Sequence, residues 1–224
     1  MQPALVLCGC GRDWPCGHPA HARIMSTVPL KLRRSSSAPW LSGSSVEGTK
    51  DGNLVHFEIS RDSGKTWQII GPVKKGSGLD AIQPSILFHK NGDLEALCRT
   101  KQGSIAMTWS KDNGKTWTAL SATELPNPNS GTDAVTLADG RQLLIYNPTA
   151  HRINKPTKGD RYPIAAAISD DGLNWNRILT FDSAPCSSSY AYPAVIQASD
   201  GLIYITYTFN RQKIKYIILD LKKL

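Results

Sequence analysis

The sequence predicts an all-β fold of the β-propeller type, with about four blades. Three observations support this prediction. A turn motif recurs at intervals near 50 residues, pairs of short strands flank Asn-Gly or Asp-Gly turns, and no long segment between them shows helical periodicity. A repeat of this length that holds four short antiparallel strands is typical of one propeller blade.

The recurring turn has the form Ser-x-Asp-x-Gly-x-Thr-Trp. It occupies residues 60–67 and 110–117, and a degenerate copy occupies 169–175. In such a turn the aspartate accepts hydrogen bonds from backbone amides, the glycine supplies a positive φ, and the tryptophan covers the turn. We therefore interpret the motif as structural and look for functional residues elsewhere in each repeat.

The hairpins divide the chain into blades. Three blades are predicted to start near Gln83, Asp133 and Tyr192, and a degraded blade is predicted over about residues 40–73. The propeller domain is thus expected to cover residues 39–224. Residues 1–38 are expected to form a disordered leader.

No metal or cofactor is expected. The leader carries Cys8, Cys10, Cys16, His18 and His21, but their spacing fits none of the usual two-plus-two zinc patterns. The five cysteines of the chain do not indicate a disulfide framework, and the N-terminus does not resemble a secretory signal, so a cytoplasmic location is favoured.

The charge favours an anionic partner. The 26 Lys and Arg residues outnumber the 18 Asp and Glu residues, for a formal net charge of +8. No run approaches the roughly 20 apolar residues that a membrane-spanning helix needs, so no membrane partner is expected. The basic residues near the C-terminus alternate with isoleucines, as in a strand with a solvated face, so nucleic acid is not expected either.

Polar residues at equivalent places in successive blades are expected to meet at one rim of the propeller. Three of them stand at the starts of the first strands, and three lie seven residues after the hairpin glycines. These six residues are Gln83, Asp133 and Tyr192, followed by Arg99, Asn147 and Thr208. Arg161, just before another strand, would join them, and paired arginines suit the binding of a carboxylate.

The repeats and three longer stretches resemble the sialidase (neuraminidase) superfamily. The turns are similar to its Asp-boxes, or bacterial neuraminidase repeats. The stretches QPSILFHKNGDLEALCRT, LPNPNSGTDAVTLADGR and SYAYPAVIQASDGLIYITYTFNR are similar to the predicted-neuraminidase branch. This resemblance implies a six-bladed propeller in the family, of which this chain would lack the early blades, and a glycosidase that acts on an acidic sugar or glycan.

The resemblance also implies roles for single residues. Arg99 and Arg161 resemble the second and third arginines that bind the sugar carboxylate, and Tyr192 resembles the nucleophile, with Tyr190 as its substitute if the register slips. Gln83 stands where sialidases have the glutamate that activates this tyrosine. Asp133 and Glu47 are then the acidic candidates for acid/base catalysis, while Gln83, Asn147 and Thr208 would contact the sugar.

Three functions follow from these observations. The sequence favours a sialidase-like hydrolase. A propeller that binds an acidic sugar without turnover is the first alternative, which Gln83 favours, and a platform for a protein partner is the second.

Overall fold

The fold is known from a computed structural model that describes residues 39–76, 78–150, 159–185 and 189–224. The leader and the five cysteine and histidine residues considered for zinc lie outside these ranges. The described residues form fourteen β-strands and one short 3-10 helix, Leu221–Lys223. None of their helices is long and apolar enough to cross a membrane.

The strands build four antiparallel sheets, which we call the first to fourth blades. The first contains β1 (Trp40–Thr49), β2 (Gly52–Ser60) and β3 (Gln68–Ile70), and the second contains β4 (Ala81–Phe88), β5 (Leu94–Thr100), β6 (Ser104–Ser110) and β7 (Ser121–Pro126). The third contains β8 (Asp133–Thr136), β9 (Gln142–Tyr146), β10 (Ile164–Ser169) and β11 (Asn176–Asp182), and the fourth contains β12 (Tyr190–Gln197), β13 (Ile203–Phe209) and β14 (Lys213–Leu219). The prediction of an all-β propeller with about four blades is confirmed.

The Asp-box turns have the predicted hydrogen bonds. In the first, Asp62 accepts hydrogen bonds from both the backbone amide and the hydroxyl of Thr66, at 2.8 and 2.6 Å. The Trp67 indole donates to the carbonyl of Gly64 at 3.2 Å. The hydrogen bonds from Thr66 lower the pKa of Asp62 to about 2, which keeps this carboxylate ionised as the acceptor of the turn.

Apolar side chains fill the spaces between neighbouring blades. One cluster lies between the first and second blades and includes Phe57, whose ring stacks on Trp117 with a centroid distance of 3.7 Å. A second cluster joins the second and third blades, and a third joins the third and fourth. Because the strands alternate their side chains between two faces, each blade presents one apolar face to each neighbour.

The fourth blade has an apolar face that no other described blade covers. Cross-strand pairing places Ile196, Tyr204 and Ile218 in one row on this face, and Tyr216 and Ile214 follow along β14. Ile214 is 75% exposed, and Ile196, Tyr216 and Ile218 are each more than half exposed. The opposite face of the same sheet, which includes Ile205 and Tyr207, packs against the third blade.

Candidate functional site

Tyr192 occupies a β-bulge in the first strand of the fourth blade. The pairing of β12 with β13 shifts between Ala191 and Ala194, and Tyr192 has a φ of 53°. Gln83 lies in the corresponding bulge of β4 with a φ of 57°, and a proline follows each of the two residues. A bulge redirects a side chain from its strand, and here it leaves Tyr192 half exposed.

Arg99 reaches the site from β5 of the second blade. Its Nε donates to Oδ1 of Asn129 at 2.8 Å, and its Nη1 donates to Oε1 of the buried Gln83 at 3.4 Å. Arg161 arrives from the segment before β10 in the third blade. Its Nη2 donates to the backbone carbonyl of Asn129 at 2.9 Å, and its guanidinium carbon lies 5.8 Å from the centroid of the Tyr192 ring.

The two arginines and the tyrosine affect one another electrostatically. Burial of the Tyr192 phenol acts to raise its pKa, but the charges and hydrogen bonds of Arg99 and Arg161 outweigh burial and lower that pKa. Burial and the charge of Arg161 lower the pKa of Arg99, against the opposing effects of Tyr192 and Glu47. The site therefore has excess positive charge around a phenol that ionises more readily than usual.

Glu47 lies in β1 of the first blade, and its side chain is exposed. Its charge acts on Arg99 in the direction that favours the charged guanidinium. Glu47 therefore lies within electrostatic range of Arg99, on the solvent side of the site.

Asp133 lies inside the protein instead of at the rim. Its side chain is fully buried, and Oδ1 accepts hydrogen bonds from Ser85 Oγ at 3.1 Å and from the amide of Ala134 at 2.9 Å. Oδ2 accepts one from the amide of Val195 at 2.8 Å. Asp133 therefore ties the third blade to the second and the fourth, and we assign it a structural role.

The expected rim position of Asp133 is two residues out of register. Gln83 and Tyr192 lie nine residues before the hairpin glycines of their blades, whereas Asp133 lies seven residues before Gly140. The residue nine before Gly140 is Gly131. A Cβ atom on Gly131 would lie 3.1 Å from the Tyr192 ring and 3.3 Å from Oε1 of Gln83, so these three residues are the true equivalents.

Asn147 is also buried and structural. Its Oδ1 accepts a hydrogen bond from Ser130 Oγ at 2.7 Å, and its Nδ2 donates to the carbonyls of Pro163 and Tyr190. The Tyr190 hydroxyl donates to the carbonyl of Ala184, and its ring packs in the core between the third and fourth blades. We therefore do not include Asn147 among the candidate sugar contacts or Tyr190 among the nucleophiles.

Thr208 lies on the face of the fourth blade that is turned away from the arginines, because successive side chains of a strand alternate between the two faces of the sheet. Its cross-strand neighbours are Ala191 and Ile214, which puts its side chain on the uncovered face of the fourth blade. Arg99 holds the equivalent position in the second blade. In the second blade the corresponding face of the sheet packs against the third blade, so Arg99 points toward the third blade. The six rim residues predicted from the repeat register thus divide into a site around Arg99, Gln83 and Tyr192, and three residues outside it.

Sequence reasoning missed two residues of the site. Gly131 could have been found by applying one register to all three hairpins. Asn129 could not be found from the repeats, because it lies in the loop between β7 and β8, where no equivalent position recurs. It contacts the arginines through both its side chain and its backbone carbonyl. Among the described residues, no group of three or more His, Cys, Asp or Glu side chains is arranged to hold a metal ion.

The four sheets form a partial β-propeller, and Arg99, Arg161 and Tyr192 lie together at one edge of it. The family described as a BNR repeat-like domain matches residues 17–205, and the chain belongs to this family. The match begins within the segment expected to be a leader. No curated protein matches the sequence.

Several solved sialidases share the fold. The NanB sialidase from Streptococcus pneumoniae is 20% identical with a TM-score of 0.63, over 87% of this chain and 30% of that one. The Hadza microbial sialidase Hz136 is 21% identical with a TM-score of 0.65, over 84% and 36% of the two chains. The Trypanosoma rangeli sialidase is 15% identical with a TM-score of 0.65, over 84% and 30%. This chain spans about a third of the length of these sialidases.

Proposed function

We propose that the chain is a sialidase-like glycoside hydrolase that acts on an acidic sugar, with sialic acid as the first candidate. The observation that carries the proposal is the convergence of Arg99 and Arg161, from two different blades, on the Tyr192 phenol. The relatives with the same fold include proteins named as sialidases, which supports the substrate class.

The arginine pair suits a sugar carboxylate. A guanidinium group donates two parallel hydrogen bonds to a carboxylate, and two guanidinium groups can bind one carboxylate from two directions. The partial burial of Arg99 strengthens this interaction, because water screens the charges less there. The repulsion between Arg99 and Arg161 would also be relieved when an anion binds.

Tyr192 is the proposed nucleophile. A neutral phenol meets less repulsion from a substrate carboxylate than a carboxylate nucleophile would. The arginines that lower its pKa make the phenol proton easier to lose as the oxygen bonds to the anomeric carbon. In the proposed first step the phenol oxygen bonds to the anomeric carbon and the glycosidic C–O bond breaks, while the phenol proton passes through Glu47 to the departing oxygen, so that the aglycone leaves as an alcohol. In the second step water hydrolyses the bond between Tyr192 and the sugar, which returns a proton to the phenol oxygen and releases the sugar. Glu47 is the acidic candidate that remains at the site.

The carboxylate clamp is tested by removing one guanidinium. We expect Arg99→Ala to weaken the binding of sialic acid by about 10- to 100-fold, since a charge-assisted hydrogen bond contributes about 1.5–3 kcal/mol. Titration calorimetry measures the dissociation constant. Arg141→Ala is the matched control, because it removes the same charge from an exposed hairpin ion pair with Asp139. Equal affinities for the two variants would contradict the clamp.

A second candidate function is the binding of an acidic sugar without turnover, and Gln83 favours it. An amide cannot accept the phenol proton, and the Gln83 amide oxygen contacts Arg99. We expect Gln83→Glu to raise the rate of hydrolysis of an aryl sialoside by about 10- to 100-fold, since a positioned general base typically contributes about 10² or more.

Gln68→Glu serves as the control for this experiment, because Gln68 is exposed in β3 of the first blade. If both the unchanged protein and Gln83→Glu bind sialic acid saturably but neither hydrolyses the aryl sialoside, the hydrolase proposal is wrong and the protein binds an acidic sugar without turnover. Absence of both binding and hydrolysis would leave the platform for a protein partner.

A further inference from the structure

Asn129 contacts both arginines of the site. Its side-chain oxygen accepts the hydrogen bond from Arg99 Nε, and its backbone carbonyl accepts the one from Arg161 Nη2. Since Arg99 belongs to the second blade and Arg161 to the third, one residue links the guanidinium groups of two blades. The distance between the two groups therefore depends on where this residue is held.

The loop that carries Asn129 is fixed by its own hydrogen bonds. The Asn127 side chain donates to the carbonyl of Ser130 at 2.9 Å and accepts from the amide of Ser130 at 3.1 Å. Both residues are fully buried. Asn129 itself has a φ of 56°, a conformation that asparagine adopts more readily than most other residues. The bridge between the arginines is therefore attached to a rigid support.

The acceptors on Asn129 are neutral, and this has an electrostatic consequence. Two guanidinium groups at short range repel each other, and neutral acceptors orient them without cancelling their charge. A carboxylate at this position would form an ion pair with Arg99 and compete with any anion that enters the site. An amide leaves the positive charge available to a ligand.

We propose that Asn129 is a positioning residue that presents Arg99 and Arg161 as one cationic clamp. The identity of the anion rests on the function proposed above. The effect of Asn129 on the pKa of Tyr192 does not rest on that function, because the phenol responds to the same two arginines in the free protein.

The test compares Asn129→Asp with Asn113→Asp in the full chain. Asn113 is an exposed residue with a similar φ of 58° in the second Asp-box turn, so the control makes the same chemical change in the same backbone conformation. For each variant, ultraviolet titration with and without Tyr192→Phe gives the pKa of Tyr192 by difference. Calorimetry gives the affinity for sialic acid, and thermal unfolding gives the stability.

We expect Asn129→Asp to raise the pKa of Tyr192, since a nearby carboxylate offsets the positive potential of the arginines, and to weaken sialic acid binding about tenfold. Asn113→Asp should change neither. Asn129→Gly accommodates the positive φ and keeps the carbonyl bond to Arg161 but releases Arg99. We expect it to weaken binding and to raise the pKa of Tyr192 as well, without adding a competing charge, because Arg99 is no longer held beside the phenol.

An unchanged pKa of Tyr192 in Asn129→Gly overturns the positioning role, whatever happens to the melting temperature. If sialic acid fails to bind even the unchanged protein, the proposed function fails on its own, and the titration of Tyr192 still decides the role of Asn129.

Discussion

Tyr192→Phe is expected to reduce the hydrolysis of an activated aryl sialoside by about 10³-fold or more, the scale of loss seen when a nucleophile is removed. The change deletes only the phenol oxygen, which is the atom proposed to bond with the anomeric carbon. Initial rates at saturating substrate, measured on the full chain, give the effect on kcat.

Binding separates loss of chemistry from loss of structure in this variant. Because Arg99 and Arg161 remain, sialic acid should still bind within a few-fold of its original affinity, and the melting temperature should change little, since Tyr192 is half exposed. Tyr204→Phe is a matched control, because it removes another hydroxyl from the fourth blade, one that donates to Asp200 at the surface. Hydrolysis that survives in Tyr192→Phe would exclude Tyr192 as the nucleophile.

Asp133→Ala is expected to lower the free energy of unfolding by about 3–5 kcal/mol, because it leaves buried donors in three blades without their acceptor. A typical domain has only about 5–15 kcal/mol of stability in total, so this loss is large. Urea unfolding measured by tryptophan fluorescence gives the difference. Asp133→Asn keeps one oxygen and should lose less stability.

The same experiment distinguishes a structural Asp133 from the acid/base residue expected from the sequence. Asp139→Ala is the control, since this aspartate is exposed in the turn of the hairpin that begins at Asp133, and a surface ion pair contributes at most about 1 kcal/mol. The contrary outcome is that Asp133→Asn abolishes hydrolysis and yet lowers the free energy of unfolding by no more than about 1 kcal/mol. That result would support the acid/base assignment and contradict the structural one.

The repeat pattern predicted the fold because each blade has its own local signals. The Asp-box turns and the hairpin glycines depend on hydrogen bonds between residues close in sequence, such as those between Asp62 and Thr66. Cross-strand pairing then follows from the hairpins, and the alternation of apolar residues marks the faces between blades. The fold class and the approximate blade count therefore required no information on long-range contacts.

The site was predicted in part. Resemblance to sialidases selected Arg99, Arg161 and Tyr192, and the structure brings these three side chains together. The repeat register alone grouped Asp133 and Asn147 with them, although both are buried between blades. Asp133 was misplaced because it lies two residues out of register with Gln83 and Tyr192. Asn147 keeps the register of Arg99, but its side chain is used in hydrogen bonds to Pro163 and Tyr190.

The sequence by itself determined the repeating hairpins, the Asp-box turns and the three residues that resemble a sialidase site, since each of these is encoded in a short segment. Only the tertiary structure decided which polar residues meet. Contacts between blades join residues far apart in the chain, such as Asp133 with Val195 and Asn129 with Arg161. Whether a side chain at a blade edge faces the ligand or the core depends on the neighbouring blade, and that blade is not visible within one repeat.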